Sequence, residues 1–403
     1  MPERPLARVV RIHLGELDGP LGTWQHATGV APNESFGYCT DDVARALVVD
    51  LLHRRSIGWE AVSAHAWRSC TFLRDAFDPA AAWFRNLRAA DGVWLDELAS
   101  EDCQGRALLA LGIAARDAPE VPMRLEAAAL LVAALPGARR LTSLRAVASA
   151  VLGCEAAIAA GIDGETDRTF AQLVGRLRRA FQSLDLDGDW PWPEPLLAYE
   201  NVLLPHALIV AGGRLGEPKL TQVGLHVLDW LIRVQTARNG SFSPIGNAGW
   251  WPRRGIRSRF DQQPIEATAT ILAASAAFEA TQDDRYRVAA EAAYGWFLGD
   301  NDVGIPVADV ATGGCHDGLS ARGVSRNEGA ESTLMWLMAL ETIRRMRAGR
   351  AAAAAAGARP ATRTAASRTA ATRTTATRTT ATRTPTSSAA ASVAATAVEE
   401  PRA

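Results

Sequence analysis

Residues 38–42, Tyr38-Cys-Thr-Asp-Asp, place two adjacent carboxylates directly before an apolar segment rich in Ala, Leu and Val. Four other polar clusters run into small-residue apolar segments in the same way: Ser-Glu-Asp-Cys-Gln-Gly at 100–105, Tyr-Glu-Asn at 199–201, Phe-Asp-Gln-Gln-Pro-Ile-Glu at 260–266 and Asn-Glu-Gly-Ala-Glu at 327–331. These clusters recur about one helical hairpin apart, which indicates a repeated supersecondary unit. Polar groups gathered at the starts of packed helices also suggest a functional site.

Apolar periodicity predicts twelve helices and almost no alternating strand pattern. The predicted helices lie near residues 5–16, 41–54, 60–76, 101–115, 119–135, 141–160, 165–184, 200–212, 217–235, 262–279, 283–298 and 328–346. Segments such as 107–114, 267–277 and 334–340 are apolar nearly all round, which is typical of buried helices. They alternate with segments such as 60–75, 166–184 and 283–298, which carry charge on one face.

This alternation predicts an all-α fold, an (α/α)6 toroid in which six inner helices wall a central funnel and six outer helices cover them. The segment 6–14 is then the outer helix that closes the ring. We assign the toroid to residues 1–346. Inner helices that run in one direction bring their N-terminal ends to one mouth of the funnel, so the acidic clusters are expected to converge there.

From about residue 347 the chain becomes Ala/Thr/Arg low complexity, which cannot bury enough apolar surface to offset its ordering entropy. We predict that residues 347–403 are a disordered tail. This segment has nine Arg and two Glu, a net charge of +7 against −1 for the whole chain, so the body is acidic. An acidic body argues against nucleic acid as a partner of the globular domain.

The chain has no N-terminal apolar run of signal-peptide length and no stretch of ~18 uninterrupted apolar residues. Five cysteines without framework spacing suit reduced thiols. We therefore expect a cytoplasmic protein without a membrane span. Cys39, Cys103 and Cys315 lie within polar motifs, but no CxxC spacing supports a zinc site, and neither a metal nor another cofactor is predicted.

Four stretches carry a resemblance to a known group of proteins. They are Gly37-Tyr-Cys-Thr-Asp-Asp-Val-Ala-Arg-Ala-Leu, Ser100-Glu-Asp-Cys-Gln-Gly-Arg-Ala-Leu, Asp189-Trp-Pro-Trp-Pro-Glu, and Gly313-Gly-Cys-His-Asp-Gly-Leu together with Asn327-Glu-Gly-Ala-Glu-Ser-Thr-Leu. Over about residues 5–345 the chain resembles bacterial six-hairpin glycosidase-like proteins that accompany, or are fused to, sugar-nucleotide glycosyltransferases. The resemblance implies the toroid, a carbohydrate substrate and a glycosyltransferase as a possible partner. The chain has no Gly-rich phosphate loop after a strand that would indicate a nucleotide domain of its own.

Glycoside hydrolysis requires two carboxylates across an oxocarbenium-like transition state, one of them with a raised pKa. We predict Asp42, Asp102, Glu266 and Glu328 as the catalytic candidates, pairing Asp42 or Asp102 with Glu266 or Glu328. A simpler interpretation of the acids at 41–42 and 101–102 is helix capping. One acid suffices for a cap, whereas a second adds repulsion unless a donor, metal or substrate uses it. By analogy with six-hairpin glycosidases, an inverting arrangement is favoured.

Aromatic and polar residues in the same motifs suit sugar binding, because pyranose rings offer C–H groups to flat apolar surfaces and hydroxyls to carboxylates. The predicted substrate-binding residues are Tyr38, Asp41, Glu101, Trp192, Glu194, Tyr199, Glu200, Asn201, Trp250, Trp251, Asp261, Gln262, His316, Asp317, Asn327 and Glu331. For His316 we favour a loop hydrogen bond over a general base. The Arg residues that follow Trp251 suit either a charged sugar or phosphate, or plain ion pairing with the acids.

Other functions remain open at this point. Phosphate in place of water would make the protein a phosphorylase. A sugar epimerase on the same fold requires histidines in the funnel as acid and base, and the chain offers mainly His26, His206 and His316. A non-catalytic glycan-binding module that works beside a glycosyltransferase would keep the aromatic residues without a catalytic pair.

Overall fold

The structure, a computed structural model, describes residues 3–96 and 100–357. Within these ranges it has twelve α-helices and only two-residue strands, which confirms the all-α class. The helices are α1 Ile12–Glu16, α2 Thr40–Ile57, α3 Ser63–Ala76, α4 Glu101–Asp117, α5 Val121–Ala138, α6 Leu144–Ala159, α7 Glu165–Gln182, α8 Leu203–Leu215, α9 Pro218–Val234, α10 Pro264–Thr281, α11 Asp284–Phe297 and α12 Ala330–Gly357. Helix α12 continues past residue 347, where we placed the start of the tail, and residues 358–403 lie outside the described part.

The even-numbered helices form an inner ring and the odd-numbered helices surround it. Helix α4 packs between α2 and α6, α8 packs between α6 and α10, and α3, α5, α7, α9 and α11 each pack on the helix before them. Helix α12 closes the ring, since Thr268 Oγ1 on α10 donates to the Met335 carbonyl at 2.8 Å and Ser56 on α2 donates to Glu341 at 2.9 Å. The architecture is the (α/α)6 toroid expected from the alternation of buried and amphipathic segments.

Inner helices approach each other most closely where glycines face a neighbouring backbone. A Cβ atom on Gly112 of α4 would lie 2.0 Å from the carbonyl oxygen of Gly153 on α6. A Cβ atom on Gly153 would lie 2.4 Å from the carbonyl oxygen of Leu108 on α4. Because only glycine lacks this atom, these positions set the spacing between α4 and α6.

Short antiparallel strand pairs connect the loops. They are β1 Ala27–Thr28 with β2 Ala31–Pro32, β3 Tyr38–Cys39 with β6 Leu87–Arg88, β4 Phe77–Asp78 with β5 Trp83–Phe84, β7 Leu196–Leu197 with β8 Trp251–Pro252, and β9 Leu319–Ser320 with β10 Gly323–Val324. The β3–β6 pair joins the loops before α2 and α4, and the β7–β8 pair joins the loops before α8 and α10. The mouth at the N-terminal ends of the inner helices is therefore held by backbone hydrogen bonds.

The first predicted helix is wrong over most of its length, because only Ile12–Glu16 is helical. The residues before it pair their backbone with other elements: the Tyr294 hydroxyl accepts from the Ala7 amide at 3.1 Å, and Arg344 donates to the Ala7 carbonyl at 2.8 Å. These bonds replace the intrahelical bonds that the apolar pattern suggested.

Helix α5, Val121–Ala138, is by length and composition apolar enough to cross a membrane. It packs against α4 in the toroid, with Met123, Leu131 and Leu135 among its buried residues. Its apolar character is thus used for packing within the protein.

A buried ion-pair network joins α1, α2 and α3. Asp50 on α2 is fully buried; its Oδ1 accepts from Arg11 at 2.6 Å and its Oδ2 lies 2.6 Å from Nδ1 of His65. Arg11 also contacts Nδ1 of His53 at 2.8 Å. The carboxylate of Asp50 is therefore the polar partner of both the Arg11 guanidinium and the His65 imidazole inside the protein.

We expect Asp50→Ala to lower the free energy of unfolding by about 3 kcal/mol, because Nη2 of Arg11 and Nδ1 of His65 lose the carboxylate that they contact in the protein interior. Asp50→Asn, which keeps one acceptor oxygen and the shape, should lose less. Urea unfolding of the three proteins measures the difference, and equal midpoints would contradict this role for Asp50.

Candidate active site

All six inner helices place a charged side chain at or near the mouth of the toroid. These residues form what we call the mouth cluster: Asp41, Asp42 and Arg45 of α2, Asp102 and Arg106 of α4, Arg145 of α6, Glu200 just before α8, Glu266 of α10 and Glu331 of α12. Ion pairs, hydrogen bonds and mutual electrostatic effects join its members. The acids that the sequence scatters from residue 41 to residue 331 thus meet around one opening.

Glu266 lies in the first turn of α10 and is only 2% exposed. One of its carboxyl oxygens accepts from the Glu200 amide at 2.7 Å, and the other has no hydrogen-bond partner among the described residues. Burial, reinforced by the negative charges of Glu200 and Glu331, raises the pKa of Glu266 to about 8, although the Glu200 amide and Arg145 oppose this shift. Glu266 is therefore mainly a neutral acid at pH 7.

Asp42 lies in the first turn of α2 and is 4% exposed. Burial raises its pKa to about 7, helped by the charges of Glu331 and Asp41 and opposed by Arg45. Arg45 donates to Oδ1 of Asp42 at 2.8 Å and lies at the same distance from Glu331. The charge of Glu331 thus acts on the protonation of both buried carboxyls.

Arg106 of α4 connects acids from two sides of the mouth. It donates to Glu200 and lies 3.7 Å from Asp41, so it links the α2 side of the ring with the α8 side. Only 12% of its side chain is exposed. The guanidinium thereby neutralises part of the acidic cluster.

Arg145 of α6 holds the loop before α8. It donates to both carboxylate oxygens of Glu194, at 3.1 and 2.8 Å, and to Asn201 at 3.0 Å. It also lies over the Tyr199 ring, 4.7 Å from the ring centre. A bidentate arginine fixes the orientation of this loop.

Tyr199 and Trp250 form the aromatic part of the mouth. The Tyr199 hydroxyl donates to Asp102, which also accepts from Ser143 at 3.1 Å. The Tyr199 and Trp250 ring centres are 6.3 Å apart. Glu200 and Trp250 have φ angles of 44° and 54°, a strained conformation for residues with side chains and one that clusters at functional sites.

Glu328 lies apart from the mouth cluster. Its carboxylate is 3.5 Å from Nδ1 of His316, its backbone carbonyl is 2.7 Å from Nε2 of His13, and a Cβ atom on Gly314 would lie 2.0 Å from its Oε2. It is packed beneath the loop before α12, whereas Glu331, three residues later, lies in the mouth. The catalytic candidates therefore separate into two places.

Several of the predicted binding residues form hydrogen bonds with backbone amides or with core side chains of the protein. Glu101 accepts from the amides of Thr142 and Ser143 at 2.6 Å each, and these bonds lower its pKa against the effect of burial. Asp317, whose pKa is raised by burial, accepts from the Gly329 amide at 2.7 Å, and Asn327 accepts from the Gly29 amide at 3.0 Å. Gln262 is fully buried and accepts from Trp296 at 2.7 Å.

The remaining aromatic candidates belong to the core or to the outer layer. Tyr38 is fully buried and stacks on Trp24 with ring centres 4.2 Å apart, and Trp192 is 2% exposed. Trp251 packs with Trp190 and Trp230 at 5.4 and 6.3 Å. Of the adjacent tryptophans, only Trp250 faces the mouth, and Asp261 nearby is exposed at the surface.

The sequence interpretation missed the three arginines of the mouth cluster. A signal was present, because Arg45 follows Asp42 by three residues and Arg106 follows Asp102 by four, which places each pair on one helix face. Charged residues at such positions of an otherwise apolar inner helix indicate the lining of the funnel.

The described residues contain no group of three or more His, Cys, Asp or Glu side chains arranged to hold a metal ion. All five cysteines are buried as free thiols. Cys39 contacts Asn86 at 3.2 Å, whereas Cys315 lies near Glu328, so the loop cysteines do not form one cluster.

No protein-family model matches the chain, and no curated protein does. Solved structures match its fold. A cellobiose 2-epimerase from Bacillus thermoamylovorans has a TM-score of 0.66 at 14% identity over 83% of this chain and 96% of that one. A D-mannose isomerase has a TM-score of 0.65 at 10% identity over 83% of this chain and 95% of that one. A GH76 α-mannanase from Bacteroides thetaiotaomicron has a TM-score of 0.60 at 10% identity over 84% of this chain and 94% of that one. The chain shares the six-hairpin toroid with these proteins.

Proposed function

We propose that this protein is a carbohydrate-active enzyme, most specifically a glycoside hydrolase with Glu266 as general acid and Asp42 as general base. The observation that carries the proposal is the pair of buried carboxyls, Glu266 and Asp42, whose pKa values are raised to about 8 and about 7 and are both affected by the charge of Glu331. Titratable pairs whose environment shifts both pKa values toward neutrality are typical of acid–base sites.

In the proposed reaction, neutral Glu266 gives its proton to the glycosidic oxygen as the bond to the leaving sugar breaks. Ionised Asp42 takes a proton from the water that attacks the anomeric carbon. The free oxygen of each carboxyl is available for this purpose, since Arg45 and the Glu200 amide occupy the other one. Trp250 and Tyr199 offer ring faces to the sugar, and Asp102 and Glu331 accept from its hydroxyls.

The fold also houses proteins described as epimerases and an isomerase, so an epimerase remains the alternative. It requires two histidines at one reacting carbon. Of the three histidines that the sequence named, His26 packs edge-on against Phe36 with ring centres 4.6 Å apart, His206 borders the interior of the toroid, where burial lowers its pKa to about 4, and His316 faces Glu328. The carboxyl pair therefore favours hydrolysis. Cooperation with a glycosyltransferase remains a proposal that follows from the resemblance.

The test is a panel of oligosaccharides incubated with the protein in ordinary water, with and without phosphate, and in deuterium oxide. Hydrolysis releases reducing ends, phosphorolysis releases a sugar phosphate, and epimerisation introduces deuterium beside the carbonyl carbon. Anomer analysis of the first product distinguishes inversion from retention. Saturable binding without any turnover would support the glycan-binding module and refute the enzyme.

We expect kcat/KM of the active substrate to have a bell-shaped dependence on pH, with limbs near 7 and 8. Below 7 Asp42 gains a proton and ceases to be a base, and above 8 Glu266 loses the proton that it must donate. Because the charge of Glu331 raises both pKa values, Glu331→Gln should move both limbs to lower pH. A pH profile in which the substitution moves neither limb would contradict the proposed pair.

A further inference from the structure

A cavity of about 600 Å³ lies inside the toroid beneath the mouth cluster. Arg45, Arg106 and Glu200 border it on the side of the mouth. Arg55 and Arg116, near the C-terminal ends of α2 and α4, and Arg345 of α12 border it farther inside. Arg45 and Arg55 are ten residues apart on α2, as are Arg106 and Arg116 on α4, so the cavity extends about 15 Å along the axis.

The cavity walls are mainly apolar. Leu52 and Leu109, together with Val210 and Leu272 on the opposite side of the ring, line the cavity and remain partly exposed, although all belong to inner helices. Met338 completes this wall. Close-packed interiors leave few voids larger than a water molecule, and the volume lies within the range of ~300–1,000 Å³ that is typical of small-molecule sites.

At the end of the cavity away from the mouth, some arginines form ion pairs and one does not. Arg116 pairs with Asp117 at 2.9 Å and Arg345 with Glu279 at 3.6 Å. Glu155 also borders this end and pairs with Arg214 at 2.5 Å. Arg55 forms no ion pair in the described part of the chain and is exposed at the rim, and buried Glu341 is the carboxylate whose pKa its charge affects. An apolar channel with a free guanidinium at its opening has the polarity of a site for an amphiphile with an anionic head.

We propose that this cavity is a second ligand site that binds a medium-chain fatty acid, with the acyl chain along the toroid axis and the carboxylate at Arg55. The cavity and the mouth cluster share Arg45, Arg106 and Glu200 as a common border, whereas the proposed carboxylate position at Arg55 lies ten residues from Arg45 along α2. The proposal does not depend on the reaction catalysed at the mouth.

The experiment is calorimetric titration of the full chain with octanoate, dodecanoate and hexadecanoate, each below its micellar concentration, and with dodecanol. Saturable one-to-one binding is expected, tightest for the acid whose chain length matches the cavity. Leu109→Trp, which fills the cavity, should weaken binding by about tenfold or more. Leu125→Trp is the matched control, because Leu125 is 65% exposed on α5, and it should bind like the wild type.

Arg55→Glu tests the position of the head group without altering the core. It should weaken dodecanoate binding by about tenfold and leave dodecanol binding unchanged. If Leu109→Trp fails to fold, Val210→Phe takes its place, and circular dichroism and thermal melting verify each variant. The proposal is overturned if no fatty acid binds saturably, if a folded cavity-filling variant binds as tightly as the wild type, or if Arg55→Glu affects acid and alcohol alike.

Discussion

Replacing Glu266 with glutamine should lower kcat by about 10³-fold, because general acid catalysis typically contributes between ~10² and ~10⁴. Glutamine keeps the shape of the side chain and an oxygen to accept from the Glu200 amide, but it has no proton to donate to a leaving sugar. Turnover of the oligosaccharide identified by the panel, together with its binding measured by calorimetry, checks the effect. The substrate should still bind.

The matched control for this variant is Glu165→Gln. Glu165 also lies in the first turn of a helix, α7, but it is at the surface in an ion pair with Arg139. Its substitution should leave kcat unchanged. If Glu266→Gln kept activity within tenfold of the wild type, Glu266 would not be the acid.

The same variant has a second expected effect, on stability. The folded pKa of Glu266 lies above its usual value of 4.5, so the wild type loses free energy of unfolding as pH rises from about 4.5 to about 8. Glutamine does not titrate, and above pH 8 Glu266→Gln should be more stable than the wild type by at least about 2 kcal/mol. A variant that is inactive but more stable at high pH excludes misfolding as the cause of its inactivity.

The second large effect is expected at the contact between α4 and α6. Gly112→Ala should lower the free energy of unfolding by about 4 kcal/mol or more, because the new Cβ would lie 2.0 Å from a backbone oxygen that can move only with its helix. Soluble expression and thermal melting measure the loss. Separation of these two helices would also disturb the funnel, so activity should fall with stability.

Gly213→Ala on α8 is the control for this substitution. No heavy atom lies within 4 Å of a Cβ atom built there, so alanine should stabilise the helix by about 0.5 to 1 kcal/mol. If Gly112→Ala behaved in the same way, the close approach of α4 and α6 would not determine the packing of the inner ring.

The helices and the toroid could be predicted well because the spacing of apolar residues along the chain reflects which helix faces are buried. The predicted range 101–115 became Glu101–Asp117, and α10 begins at Pro264, a proline at a favourable first-turn position. The first helix was mispredicted because apolar periodicity cannot distinguish a short helix from an extended segment whose backbone pairs with distant elements.

The site was harder to predict because it depends on where each helix begins. The last helix was predicted to begin near residue 328, but α12 begins at Ala330, so Glu328 belongs to the preceding loop and lies apart from Glu331. The contact between Glu200 and Glu266 depends on a left-handed turn at a glutamate, which local preferences disfavour. Such features come from tertiary packing.

The guanidinium of Arg106, held between Asp41 and Glu200, borders both the mouth and the cavity inside the toroid. If the protein hydrolyses a glycan as proposed, the substrate enters at the mouth and the products leave through the same opening. Under this proposal, departure of the product and arrival of the next sugar compete for the mouth of the toroid.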